Sequence, residues 1–150
     1  MHLAQINIGK VRFDLESPEM ADFVNNLDPI NAIAEKSPGF IWRLKDETGD
    51  ATNVKVEDNP DIIVNMSVWE NVESLKDFMF KTHHIDFLKR KKEWFVPLKE
   101  ASYALWWIPE GHIPTVQEAI NKLEYLRKYG ESQEAFSFKT HYAKLELASG

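Results

Sequence analysis

The chain contains no cysteine. That excludes a disulfide framework, thiolate metal sites and a cysteine nucleophile, and it is compatible with a reducing compartment. No apolar run approaches the length of a membrane span. The first residues, Met1-His2-Leu3-Ala4-Gln5, have neither the basic region nor the apolar core of a secretory signal, so the expectation is a cytoplasmic protein without membrane contact. Positive charge is in deficit: 18 Lys and Arg stand against 24 Asp and Glu, for a net charge of −6. Nucleic acid is therefore not an expected partner, because a basic face supplies most of that affinity. Catalytic signatures are missing too. There is no glycine-rich phosphate loop, nucleophile elbow, His-Glu-x-x-His helix or dinucleotide fingerprint. The His83-His84 pair is a poor metal chelate, since neighbouring helical side chains point about 100° apart, and no metal is expected.

What is present is aromatic. Five Trp and nine Phe in 150 residues can fill a core or line a pocket for a flat apolar ligand. A chain of this length suits one domain that buries about 68–70% of its unfolded surface. The expected division is a single domain over 1–138 and a C-terminal tail over 139–150 that lacks periodicity and is expected to fray.

The central stretch runs from Asp61 to Trp94. It opens as a strand, Ile62 to Trp69, in which Ile62, Val64, Met66 and Val68 share one face while Asn65 and Ser67 share the other. One face reads as core and the other as the wall of something. The first strand, Leu3 to Ile8 and closed by Gly9, repeats the pattern, with Ala4, Ile6 and Ile8 opposite Leu3, Gln5 and Asn7. Ser17-Pro18-Glu19 reads as a cap followed by proline at the first helical position. Met20, Phe23, Val24, Leu27, Ile30, Ile33 and Ala34 then recur at helical spacing. Asp28-Pro29 should kink or restart that helix, and Ser37-Pro38-Gly39 should end it.

A second strand is expected from Phe40 to Lys45, with Phe40, Trp42 and Leu44 opposite Ile41, Arg43 and Lys45. Residues 46–61 read as a polar loop with at best a weak hairpin near Thr52-Asn53-Val54-Lys55-Val56. Asn71 caps a helix whose buried stripe is Val72, Leu75, Phe78 and Met79. The phase shifts near Lys81-Thr82, and His84, Phe87, Leu88, Lys91, Trp94 and Phe95 fall on one face of the next piece, which Pro97 stops. Ser102 to Ile108 is a strand apolar on both faces. Thr115-Val116-Gln117-Glu118 is a capping box opening a helix that ends at Gly130. Phe136-Ser137-Phe138 is a segment that could dock.

This order is the split βαβ plan of a ferredoxin-like α+β domain: a four-stranded antiparallel sheet with helices on one face, plus an extra C-terminal helix. A bare second face carrying Trp42 and a double Trp would expose a large apolar patch. The expected cover is a second copy, sheet to sheet about a two-fold axis, giving a homodimer.

That plan, with Ser37-Pro38-Gly39-Phe40 and Ser67-Val68-Trp69-Glu70, resembles the dimeric α/β-barrel superfamily, which includes antibiotic-biosynthesis and haem-degrading monooxygenases. His84 with Glu93-Trp94-Phe95, then Leu105-Trp106-Trp107-Ile108-Pro109-Glu110-Gly111-His112, Pro114-Thr115 and Ala135-Phe136, are similar to a bacterial family of uncharacterised proteins within it, a domain of unknown function. The resemblance covers about residues 2–138. It implies a barrel cavity and permits a monooxygenase-like enzyme, cofactor-independent or haem-linked, acting on a small aromatic or polycyclic molecule. In the oxygenase branches the site has an Asn on the first strand, a Trp on the second long helix and a His or Tyr further on. Asn7 matches the Asn, Phe78 stands where the Trp would be, and His83 and His84 lie about a turn before the His. The catalytic candidates are His84, as base or ligand, and Asn7. Gln5, Asn65, Ser67, Phe78, Tyr103 and Trp106 are candidates to bind substrate, and strand parity alone does not choose between Tyr103 and Trp106.

Each candidate has a plainer counterpart. A His on an apolar face is more often a core imidazole with a satisfied hydrogen bond than a catalyst. The four polar strand residues could bond across an interface. Trp69 closes a strand and reads as packing, and His83 as solvated. The run Lys89-Arg90-Lys91-Lys92 is ordinarily a solvated helix face, and its functional version anchors an anionic ligand at the cavity mouth. His112 and His141 have no constellation around them. The alternative function is a non-catalytic dimeric binding or structural module with the same pocket.

Overall fold

The computed structural model describes residues 1–45, 62–82 and 84–139. The expected hairpin near Thr52–Val56, the reading of His83 as solvated, and residues 140–150 with His141 lie outside them. The elements in order are β1 (His2–Val11), α1 (Ala21–Lys36), β2 (Phe40–Arg43), β3 (Ile62–Trp69), α2 (Val72–Lys81), α3 (His84–Lys89), α4 (Lys91–Trp94), β4 (Phe95–Val96), β5 (Tyr103–Ile108) and α5 (Val116–Tyr129).

All strand pairs are antiparallel and the order is β2-β3-β1, with the far edge of β1 shared by β5 and the two-residue β4. This is the ferredoxin-like order with one strand more than the four expected. The extra strand exists because β1 runs past Gly9 to Val11 and offers Lys10 and Val11 to Val96 and Phe95. Glycine is required at that crossing: a Cβ on Gly9 would lie 2.7 Å from ring carbons of Phe95.

Helix α1 is continuous through Pro29, so the expected restart does not occur. Proline removes one i→i−4 bond, and the carbonyl left over belongs to Asn25, an exposed residue that water can reach. The helix is preceded by a 3-10 turn, Pro18–Met20, whose Ser17 makes no side-chain cap bond; its hydroxyl donates instead to the Asp14 carbonyl at 2.5 Å. Asn71 and Thr115 do cap, accepting from the backbone N–H of Ser74 at 2.8 Å and of Glu118 at 3.0 Å. The turn into β2 uses Gly39 at φ 83°, where a Cβ would strike the Ser74 side chain.

A register shift between Phe40 and Trp42 pairs Phe40 with Trp69, Trp42 with Val68 and Arg43 with Ser67. The bulge corrects the simple alternation: Phe40 and Arg43 share one sheet face, Trp42 takes the other, and Ile41 is left exposed.

The two faces of the sheet carry different helices. Ala4, Ile6, Ile8, Val64, Met66, Val68, Ala104, Trp106 and Ile108 form one core cluster with Ala119, Leu123 and Leu126 of α5. On the opposite face Leu3, Trp69 and Leu105 pack with Ala34 of α1 and Leu75 and Phe78 of α2. The expectation of a bare face, from which sheet-to-sheet pairing was argued, is therefore corrected. Every apolar residue of that face in β1 and β3 is buried within a single chain, with α5 part of the cover. Phe136 docks as expected, exchanging both backbone hydrogen bonds with Leu105 at 2.8 and 2.9 Å.

Candidate functional site

On the α1–α2 side of the sheet the described residues leave a gap. The strand residues that face α5 are at most 4% exposed from Ala4 to Ile8 and from Ile62 to Val68. Facing α1 and α2, Asn7, Gly9 and Ile63 are half-buried and Asn65 is exposed. Along α1 only Phe23 and Ala34 are buried, while Leu27, Ile30 and Asn31 are left half-covered. The space between is a cavity of about 390 Å³, within the ordinary range for small-molecule sites. Its lining is buried at Trp69 and Leu75 and exposed at Asn65, which marks the opening.

The floor is polar. Gln5 donates through Nε2 to Asn65 Oδ1 at 2.8 Å and to Ser67 Oγ at 2.7 Å, and Ser67 Oγ also accepts from Trp69 Nε1 at 2.8 Å. These bonds orient Gln5 and Ser67, both 8% exposed, and leave Asn65 to face the opening. Asn7 and Asn31 line the cavity without a side-chain hydrogen bond among the described residues.

The wall is aromatic. Trp69 stacks on Phe78 with centroids 5.3 Å apart and meets Phe40 edge-on at 5.5 Å. Phe78 in turn lies 4.7 Å from the imidazole of His84. The expected break after Lys81 turns the chain so that His84, Leu88, Lys91, Trp94 and Phe95 all reach the cavity. Burial pushes the His84 pKa below its ordinary 6.5, and a backbone hydrogen bond at Met79 offsets only part of that. At neutral pH the imidazole is uncharged and able to accept a proton.

Seven of the eight expected site residues thus share one space: Gln5, Asn7, Asn65, Ser67, Phe78, His84 and Tyr103. Trp106 does not. It is 1% exposed in the α5 cluster, and its indole N–H donates to Glu118 Oε2 at 3.1 Å. The capping box is therefore half-made, because the Glu118 carboxylate serves Trp106 and His112. Sequence reading missed several contributors, Arg43, Asn31, Trp69 and Phe138 among them. Asn31 was detectable as a polar residue on the Phe23-Leu27-Ala34 stripe. Trp69 lines the cavity as well as packing. Phe138 reaches it because its backbone N–H donates to the Tyr103 hydroxyl at 3.2 Å, a contact with no local signal.

Haem was permitted by the resemblance, and the residues can be tested for it. A porphyrin is large for a cavity near the bottom of the 300–1,000 Å³ range. Its carboxylates would need two cations, yet Arg43 is engaged by Glu35 at 3.4 Å. The residues present do not fit haem. No group of three or more metal-ligating side chains is assembled among the described residues, and none of the described helices is long and apolar enough to cross a membrane.

A ferredoxin-like sheet with an aromatic and amide-lined cavity under two helices defines the chain as an α+β protein of ferredoxin-like fold. Residues 2–149 match the family described as Domain of unknown function (DUF3291), and the chain belongs to that family. No curated protein matches it. Among solved structures it is similar to a conserved protein from Methanosarcina mazei Go1, with 16% identity and a TM-score of 0.53 over 73% of this chain and 94% of that one. It is also similar to a point variant of SnoaB, a cofactor-independent oxygenase from Streptomyces nogalater, with 12% identity and a TM-score of 0.52 over 76% and 98%. At these identities the likeness is one of fold.

Proposed function

We propose that the chain is a cofactor-independent, monooxygenase-like enzyme that takes a small aromatic or polycyclic molecule into the cavity under α1 and α2. The observation that carries this reading is that His84 and Asn7, from distant parts of the chain, open into one aromatic-walled space. Neutral His84 is suited to take a proton from an acidic phenolic or benzylic position. The amides of Asn7 and Asn65 are suited to donate to the oxyanion that results, and the Trp69–Phe78 wall to keep water from it. An electron-rich anion of this kind can react directly with molecular oxygen. For a benzylic CH2 group, one oxygen atom remains as a carbonyl and the other leaves as water.

The test is aerobic incubation with anthrones and electron-rich hydroquinones while oxygen uptake is recorded. Wild type should consume oxygen, and His84→Gln should lower kcat by about 10²-fold or more, the usual range for a lost general base. Tight binding of these compounds without oxygen uptake would instead favour a binding module using the same cavity. Turnover indifferent to both His84→Gln and Asn7→Ala would refute the assignment.

A further inference from the structure

The charges around the cavity are one-sided. The protein carries a net charge of −6, yet no Asp or Glu lines this space among the described residues, while Arg43 and Lys91 both do. The basic run on α3 and α4 explains the selection. Arg90 is taken up by Asp22 and Glu93, each at 2.9 Å, and lies over the Trp94 ring at 4.8 Å. Its neighbour Lys91 points to the cavity and makes no ion pair among the described residues. Arg43 lies on the bulged strand beside Ser67, with its side chain 12% exposed and its partner Glu35 at 42%. The Glu35 carboxylate lies outside the lining and nearer to water. The Trp69–Phe78 and Phe23–Trp94 aromatic pairs line the same space. A cation at the rim of a low-dielectric hollow attracts an anion more strongly than one on open surface.

We infer that the ligand of this cavity is a planar aromatic acid bound as its carboxylate, with the rings between the aromatic walls and the anionic group at Lys91. The inference rests on the small-molecule reading above and narrows it from aromatic compounds in general to aromatic anions. It gives the acidic protein a reason to keep acidic side chains away from one concave surface.

The experiment compares naphthalene-2-carboxylate with naphthalene-2-carboxamide, which share a shape and differ in charge. Binding is followed by calorimetry and by quenching of tryptophan fluorescence, since Trp69 and Trp94 line the site. At low salt the carboxylate should bind about five- to tenfold more tightly, a gap of the size that one partly shielded charge pair supplies. The gap should narrow as salt is raised. Lys91→Gln, a change at an exposed position, should weaken the acid several-fold more than the amide. Equal or tighter binding of the amide, or a preference untouched by Lys91→Gln, would overturn this inference and leave the cavity reading standing. Binding of neither probe would overturn both.

Discussion

Replacing Ser67 with alanine tests whether the floor of the cavity is held as described. In the folded chain Ser67 Oγ is the shared acceptor for Gln5 Nε2 at 2.7 Å and Trp69 Nε1 at 2.8 Å. Removing it leaves two donors unequally stranded. Gln5 keeps the Asn65 carbonyl oxygen at 2.8 Å, so its loss is partial. Trp69 is 1% exposed, and its N–H has no other acceptor among the described residues. A buried donor left unpaired costs about 1–3 kcal/mol, so the combined loss should be about 2 kcal/mol. For a chain of this size that lowers Tm by about 4–8 °C. Urea unfolding followed by circular dichroism should show a lower midpoint with an unchanged slope. Trp69→Phe removes the stranded donor, so in that background Ser67→Ala should cost about 1 kcal/mol less than alone. A single-variant loss below about 0.5 kcal/mol, or strict additivity in the double variant, would show that the oxygen is not the acceptor this account requires.

Two further outcomes follow from the same geometry. Gly9→Ala drives a methyl group into the Phe95 ring, which already packs edge-on against Phe23 at 5.2 Å; overpacking of this kind costs about 1–3 kcal/mol, and a Tm equal to wild type would show that the ring swings aside freely. Because burial lowers the His84 pKa, the unfolded chain takes up that proton first as pH falls below 6.5. Stability should therefore be full above 6.5, decline down to the lower folded value and level off beneath it. His84→Phe should lack that component in urea titrations between about pH 8 and about pH 5, and parallel curves for the two proteins would contradict the assignment.

How much of this was legible depended on whether the signal was local. The bounds of β3, Ile62 to Trp69, and the caps at Asn71 and Thr115 follow from neighbouring residues, and each appears as read. The polar face of the sheet was legible for the same reason, since period two needs only the strand itself. Where the expectation failed, a distant partner decided. The bulge at Ile41 moved Phe40 to the other face. Trp106 pairs with Ala4 of β1 and so faces α5, where Glu118 accepts from its indole N–H. The sheet face expected to await a second copy is buried in the chain itself, against Leu123 and its neighbours on α5. The amphipathic pattern of α5 announced that it would cover something, and not what. Phe138 reached the cavity through strand-edge docking, which leaves little mark on sequence, whereas Asn31 stood in plain view on the α1 stripe.

The cavity itself is better explained as a site than as a lapse in packing. A void of about 390 Å³ left dry in a closed core, at about 24 cal/mol per Å³, would cost about 9 kcal/mol, as much as the whole stability of many domains. The chain avoids that cost by opening the space to water and lining it with Asn7, Asn31 and Asn65, whose amides water can satisfy. Yet it keeps Leu27, Ile30 and Ile63 half-covered beside those amides and forgoes the burial that one larger side chain on α1 would supply. Chains that merely need to fold close such gaps with Leu or Phe, and this sequence is not short of either. Half-covered apolar side chains beside open amides, with no carboxylate in the lining among the described residues, are what the proposed small-molecule site requires.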